Sequence, residues 1–374
     1  ALLRLPPILG PMEERRGISD TWILNLESTA SLLIALGGLG GALVGLGCLP
    51  GGPLWPWAEA CFFPLQLPVF YFGFGYRYQR QWRVRSGRQW LRAMGYQAVY
   101  TMVPLFFVTL LTLLANGWMG AEPTLAPASF LRATLVDPVI PVGFFLVVLV
   151  MYALTPTLAS GRQAAGVLAA AIALKALAVA GPALPAVSYA AWPYVAQGFC
   201  GSWVWFVAGM ALAWQPEART RRLFSLSPAA CTMGWLILGV GLLACGAPAS
   251  VREAVLTAAG LGWLAVLFGG RFADGDQVGF YRLVGGYTKA VWLLHPVFMR
   301  GLFHVLALAG VTAAGPGAAL FVPAHVFGGL AVVYVLPVGV LWAMNHVGKL
   351  GFLVNPDRYL APHRGTVPYN TRVA

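Results

Sequence analysis

The sequence predicts an all-α, polytopic membrane protein with about ten transmembrane helices and with both termini in the cytoplasm. Three observations lead to this prediction. Apolar residues make up 59% of the 374-residue chain and charged residues only 10%, whereas roughly a quarter of a soluble domain is charged. The chain carries ten apolar segments of about the length that crosses a bilayer core of roughly 30 Å. The basic residues fall in alternate segments between these spans.

The predicted spans follow one another along most of the chain, and glycine- and proline-rich turn sequences separate many of them. We therefore divide the chain into a cytoplasmic N-terminal segment (1–21), a transmembrane domain (22–344) and a basic cytoplasmic tail (345–374). The predicted spans are Trp22–Leu46, Trp57–Tyr76, Ala93–Ala115, Val139–Leu158, Ala164–Gly181, Tyr194–Trp214, Ala229–Gly246, Val255–Gly270, Thr288–Val311 and Ala318–Met344.

The distribution of the basic residues predicts the orientation. Nineteen of the 24 lysines and arginines fall in segments that this order of spans places inside, and only Arg132 and Arg252 fall outside. Basic residues are retained on the cytoplasmic side of membranes. The net charge of +12 therefore belongs to one membrane face, where anionic lipid headgroups are a sufficient partner. No nucleic-acid-binding module is recognisable, so a nucleic acid is not an expected partner. The largest basic cluster consists of Arg77, Arg80, Arg83, Arg85, Arg88 and Arg92.

The cysteines predict neither a metal site nor a disulfide framework. They are scattered within or beside apolar spans, with no CxxC pair and no histidine at ligand spacing. We expect them to be small buried residues, and we expect no bound metal or cofactor. The five are Cys48, Cys61, Cys200, Cys231 and Cys245.

Polar residues inside the spans are candidates for a site, because they are costly in hydrocarbon unless they face a cavity or a partner. Glu27, Glu59 and Lys289 are near predicted span ends, where their side chains could reach the interface. His304 and His325 flank the predicted outer edge, and we expect them to be structural.

His295 and Arg300 are well inside the ninth span. Five residues advance a helix by about 500°, so the two side chains point to different faces. Pro296 removes a backbone donor and predicts a kink at this point. The pattern indicates a polar pocket, and a helix–helix hydrogen bond that only packs the bundle is the alternative.

Several segments occur in an order that resembles the acyltransferase-3 family of membrane acyltransferases. The resemblance extends over most of the chain, although each motif alone is weakly specific. It implies a ten-helix core that transfers an acyl group, in particular acetyl, from acyl-CoA to an extracytoplasmic glycan or lipid-linked sugar. A prokaryotic plasma (inner) membrane is implied as well. The segments are Phe63–Tyr76, the RxxR repeats Arg77–Arg80, Arg80–Arg83 and Arg85–Arg88, Phe206–Gly209, and Ala290–Pro296.

The resemblance also implies roles for individual residues. His295 falls on the histidine of the family's late "YLLHFP" helix and is a candidate general base. Arg300 or Lys289 could polarise the thioester carbonyl. A cationic cradle for the phosphates of CoA could come from Arg85, Arg88 and Arg92, since the guanidinium fork suits phosphate.

The first helix departs from the family pattern. The family carries "DxLRxxAxxxVxxxH", and its histidine is thought to be the catalytic base. Aligning Ala30 and Ile34 with the small and β-branched positions puts Glu27 at the arginine and Gly38 at the histidine. Gly38 cannot accept a proton, so either another base acts or the protein does not catalyse. The alternative function is therefore an inactive relative that is a membrane subunit of an envelope or exopolysaccharide synthesis or export complex. A small-molecule transporter would predict repeated halves, and the sequence shows no convincing repeat.

Overall fold

The computed structural model describes residues 18–49, 54–81, 87–120, 126–138, 143–181, 192–274, 287–313 and 317–360. Within these ranges the regular elements are all helices. Residues 1–17 of the predicted N-terminal segment and residues 361–374 of the predicted C-terminal tail lie outside the described residues. In chain order the helices are α1 (Thr21–Gly45), α2 (Leu54–Cys61), α3 (Phe63–Gln81), α4 (Gly87–Trp118), α5 (Pro127–Leu135), α6 (Gly143–Leu154), α7 (Gly161–Ala180), α8 (Tyr194–Trp214), α9 (Glu217–Phe224), α10 (Pro228–Ala244), α11 (Ala249–Phe272), α12 (Thr288–Leu308), α13 (Ala318–Leu330), α14 (Leu336–His346) and α15 (Asp357–Leu360).

The described helices confirm a multi-pass membrane protein. Seven of them are long and apolar enough to cross a bilayer, with α13 and α14 counted as one helix, Ala318–His346. An eighth span results if α9 and α10, which are bent by 72° relative to each other, form one crossing. The other two predicted spans correspond to α3 and α6, which do not pass the same test of length and apolar composition.

α3 and α6 are at the centre of the bundle. In α3 every residue of the stretch 68–78 is buried, and the helix packs most extensively against α8 and also against α1 and α11. It continues to Gln81, five residues beyond the predicted end at Tyr76, so Arg77 and Arg80 lie in a helix and not in a loop. Of the 12 residues of α6, eight are buried. A central helix touches little lipid, and this explains why its sequence need not be long or uniformly apolar.

Glycines set the contact between α3 and α8. A Cβ on Gly75 would overlap the backbone carbonyl of Phe206, and a Cβ on Gly209 would overlap the carbonyl of Phe72. Each helix therefore uses a glycine to let the backbone of the other approach, as small residues do between transmembrane helices.

Prolines are accommodated within the long helices. α12 runs without interruption through Pro296, although a proline there removes one helical hydrogen bond. Between α13 and α14 the segment Ala331–Val335 is a π-helix, and Pro337 follows it within the first turn of α14. The wider turn thus precedes a residue that lacks a backbone N–H, and both π-bulges and prolines are recognised causes of helix kinks.

Candidate functional site

His295 is buried in α12, with 4% of its surface exposed. Its Nδ1 lies 3.0 Å from the carbonyl oxygens of both Val291 and Trp292. A carbonyl only accepts, so Nδ1 carries the proton and Nε2 of the neutral ring carries the lone pair. The helical donor for the Trp292 carbonyl would be the amide of residue 296, and that residue is proline. The His295 side chain thus supplies the hydrogen bond that Pro296 cannot make, and Pro296 fixes which nitrogen of the ring is basic.

Nε2 of His295 faces α1 at Gly38. A Cβ placed on Gly38 would lie 3.4 Å from Nε2, which is ordinary contact. The neighbouring glycines are packed more tightly: a Cβ on Gly37 would come within 2.8 Å of Phe63, and a Cβ on Gly40 within 2.6 Å of Trp55. The imidazole of α12 therefore lies beside the α1 position at which the family pattern has its histidine.

Arg300 does not join this site. It is exposed, whereas His295 is buried on the same helix, and the different directions agree with the five-residue spacing. The structure does not bring the two predicted catalytic side chains together.

The arginines predicted to bind CoA are at the start of α4. Arg88 is exposed and Arg92 is partly exposed, and their i,i+4 spacing places them on one face of the helix. Arg85 lies outside the described residues. Arg80, in contrast, is already engaged at the end of α3, where it pairs with Asp20 at 3.0 Å and donates to the carbonyl of Ile18 at 2.6 Å.

Glu27 and Arg77 form a buried ion pair that the sequence analysis missed. Two guanidinium nitrogens donate to the two carboxylate oxygens at 2.7 Å each, and the side chains are 3% and 8% exposed. Glu27 was expected to reach the interface, and instead it is buried against α3, where Gly73 leaves room for its carboxylate. The pair joins residues fifty positions apart and depends on the extra turn of α3, so the sequence offered no direct signal of it.

A narrow cleft lies between α1, α3, α4, α6 and α12, and its free volume of about 30 Å³ is enough for about one or two water molecules. From α1 it is lined by Leu24, Glu27, Ser28 and Ser31, and the other helices contribute mainly aromatic rings. Lys289 also lines it, with Nζ enclosed 3.8 Å from the centre of the Tyr100 ring. Lys289 was expected to reach the interface, but its ammonium is directed among aromatic side chains, where a cation is attracted to the ring faces.

The remaining candidates have structural surroundings. His325 is buried and its Nδ1 lies 2.7 Å from the Phe321 carbonyl, while His304 packs edge-on against Trp118. Glu59 is exposed. All five cysteines are unbonded thiols, and the described part of the chain contains no group of three His, Cys, Asp or Glu side chains that could hold a metal ion.

Comparisons with models of known protein families, with curated proteins and with solved structures find no match. Any function must therefore be argued from the residues and geometry of this chain.

Proposed function

We propose that this protein is an O-acyltransferase of the acyltransferase-3 type in a prokaryotic plasma membrane. It would transfer an acyl group, in particular acetyl, from acyl-CoA at the cytoplasmic face to an extracytoplasmic glycan or lipid-linked sugar. The observation that carries this proposal is His295, a buried imidazole whose Nδ1 proton is held by its own helix and whose basic Nε2 faces α1.

The contacts between the motif segments support the proposal. The segment Phe63–Tyr76 packs on Phe206–Gly209 through their glycines, and α1 contacts both α3 and α12. The segments of α3, α8 and α12 that contribute to the resemblance thus lie in one bundle with α1. This is the arrangement expected if they built a common site.

The same proposal includes a topology of ten spans. α3 and α6 would cross the membrane as central helices, shielded from lipid by the helices around them. The arginine-bearing ends of α3 and α4 would then face the cytoplasm, where acyl-CoA is present.

In the proposed reaction, Nε2 of His295 removes the proton from the acceptor hydroxyl. The hydroxyl oxygen attacks the thioester carbonyl carbon, the new C–O bond forms, the C–S bond breaks, and the CoA sulfur takes the proton from the imidazolium. Arg88 and Arg92 would bind the phosphates of CoA. Lys289 is a better candidate than Arg300 for polarising a carbonyl, because Lys289 lines the cleft and Arg300 is exposed.

The alternative function, a non-catalytic membrane subunit of an envelope or exopolysaccharide complex, also has a specific observation in its favour. Nδ1–H of His295 donates to the Trp292 carbonyl, which lacks its usual helical donor because residue 296 is proline. This bond is a structural reason for a histidine at position 295. Gly38 supplies no base on α1. This function predicts stable association with other membrane subunits in place of turnover.

The deciding experiment uses purified protein with radiolabelled acetyl-CoA and candidate glycan acceptors. The informative variant is His295→Asn, because the asparagine amide nitrogen can replace Nδ1 as a donor to the backbone but leaves no base at Nε2. His325→Asn is its matched control, since His325 is another buried histidine with Nδ1 bonded to its own helix. Acyl transfer by the wild type and the control, with loss of turnover in folded His295→Asn, supports the enzyme.

A second pair of variants tests the binding of CoA. Arg88→Ala with Arg92→Ala should raise the KM for acetyl-CoA, whereas Arg132→Ala, an exposed arginine on the predicted outer side, should leave it unchanged. No labelled product with any acceptor, together with co-purification of another membrane protein, would instead support the subunit.

A further inference from the structure

We infer that Arg300 binds the phosphate of a membrane lipid at the predicted outer interface, together with His304 and beside Trp118. The inference concerns binding alone: it rests on the predicted direction of α12 and does not depend on the proposed acyl transfer. It gives a role to an exposed arginine that the proposed catalytic site does not use.

The first observation is an exposed cation without an anionic partner. Arg300 is exposed on α12, a helix long and apolar enough to cross a bilayer. Within the described part of the chain, no carboxylate or hydrogen-bond acceptor contacts its guanidinium. Arg132 and Arg221 are also exposed, but each forms an ion pair with an acidic side chain. A cation in a transmembrane helix is costly unless it is paired or reaches water, so Arg300 is suited to an anion from outside the chain.

The second observation is the depth of Arg300, which Trp118 indicates. Trp118 is the last residue of α4 and is 58% exposed. Its ring lies 5.1 Å from the ring of His304, and a Cβ on Gly301 would lie 3.8 Å from the Trp118 ring. Arg300 is therefore close to the level at which α4 ends. Tryptophans are enriched at the membrane–water interface, where the phosphates of lipids also lie.

The third observation is a second donor beside the arginine. His304 follows Arg300 by four residues, so the two side chains are neighbours on one face of α12. The imidazole has no hydrogen-bond partner among the described residues, and its ring N–H can donate. The planar fork of a guanidinium fits phosphate oxygens. The two side chains together thus suit a group with several acceptor oxygens.

The fourth observation is the apolar surface around these polar groups. Leu308, one turn after His304, and Leu114, one turn before Trp118, are both exposed. In a membrane-spanning bundle such side chains face lipid tails. A cationic group beside exposed leucines favours an amphiphile with a phosphate head and an apolar tail over a soluble anion.

The test measures binding of phosphatidylglycerol to the purified full-length protein in detergent by native mass spectrometry. Arg300→Gln removes the charge, so it should weaken binding about tenfold to a hundredfold, the effect of a hydrogen bond to a charged group. Arg300→Lys keeps the charge without the fork and should weaken binding less. Arg132→Gln is the matched control: it removes one exposed charge on the predicted outer side and should leave binding unchanged.

Two further measurements sharpen the result. Without added lipid, Arg300→Gln should unfold at the wild-type temperature, because the exposed guanidinium loses no partner within the described chain. Displacement of phosphatidylglycerol by a polyprenyl phosphate identifies a carrier of lipid-linked sugars as the ligand, and failure to displace it identifies a phospholipid. Equal binding by the wild type and Arg300→Gln, an equal loss in Arg132→Gln, or full displacement by inorganic phosphate would overturn the proposal.

Discussion

At the scale of single residues, the Glu27–Arg77 pair is sensitive to substitution because both charges are buried. Removing one member of a buried ion pair leaves an uncompensated charge and costs about 3–5 kcal/mol. We therefore expect Arg77→Met to lower the unfolding temperature in detergent strongly, and the double variant Glu27→Leu with Arg77→Met to recover most of the loss.

The exposed pair Arg132–Asp137, with the two side chains 73% and 65% accessible, is the control for this prediction. Arg132→Met should change stability by less than about 1 kcal/mol, because exposed pairs contribute little. Equal losses for Arg77→Met and Arg132→Met would show that burial of the first pair has no energetic consequence.

A second prediction at this scale concerns the backbone hydrogen bond of His295. His295→Ala leaves the Trp292 carbonyl without a donor and should cost about 1–3 kcal/mol, the penalty for an unsatisfied buried group, in addition to the lost packing. In a Pro296→Ala background the amide of residue 296 can donate to that carbonyl, so the same substitution should cost less. A double-mutant cycle on unfolding free energy measures the difference, and a coupling of zero would mean that the side-chain bond is not a substitute for the helical one.

These two sites show how far residues can be predicted from the sequence. His295 was identifiable because an imidazole next to a proline within an apolar span is conspicuous. The Glu27–Arg77 pair was not, since Arg77 lies beyond the predicted end of its span and the partners are far apart in the chain. The cleft was also missed, because its walls are mainly aromatic residues from α3, α4, α6 and α12, and such residues are equally typical of a packed core.

At the scale of helices, apolar composition predicted best where polar or proline residues bound an apolar run. α8 has the same bounds as its predicted span, Tyr194–Trp214, because Pro193 precedes this mainly apolar run and Gln215 and Pro216 follow it. α3 was placed less well, since α3 is enclosed by protein and its arginines can be paired inside the bundle. Central helices are thus the ones for which hydropathy is least informative.

The glycine contacts between helices give a prediction at this scale. Gly75→Ala would push a methyl group into the backbone of α8, which cannot give way as a flexible side chain can, and should abolish monodisperse protein in detergent. Gly38→Ala is the matched control, because its methyl group would meet His295 Nε2 only at ordinary contact distance and should be tolerated. Size-exclusion chromatography of both variants distinguishes them, and a well-behaved Gly75→Ala would contradict the proposed role of glycine in this contact.

At the scale of the whole molecule, orientation decides whether the proposed CoA site can meet its donor, and cysteine labelling can measure it. Cys245 is an exposed thiol directly after α10, at the predicted outer end of the seventh span. A variant that keeps Cys245 alone should react with a membrane-impermeant maleimide in intact cells. In a cysteine-free background, Arg88→Cys should react only after the cells are permeabilised, while Arg132→Cys should react without permeabilisation. The five predicted spans between Arg88 and Cys245 place these two positions on opposite sides, so labelling of both from the same side would show that one of these spans, such as α6, does not cross. Labelling of Arg88→Cys in intact cells would contradict the proposed orientation, because acyl-CoA could then not reach the arginines as proposed.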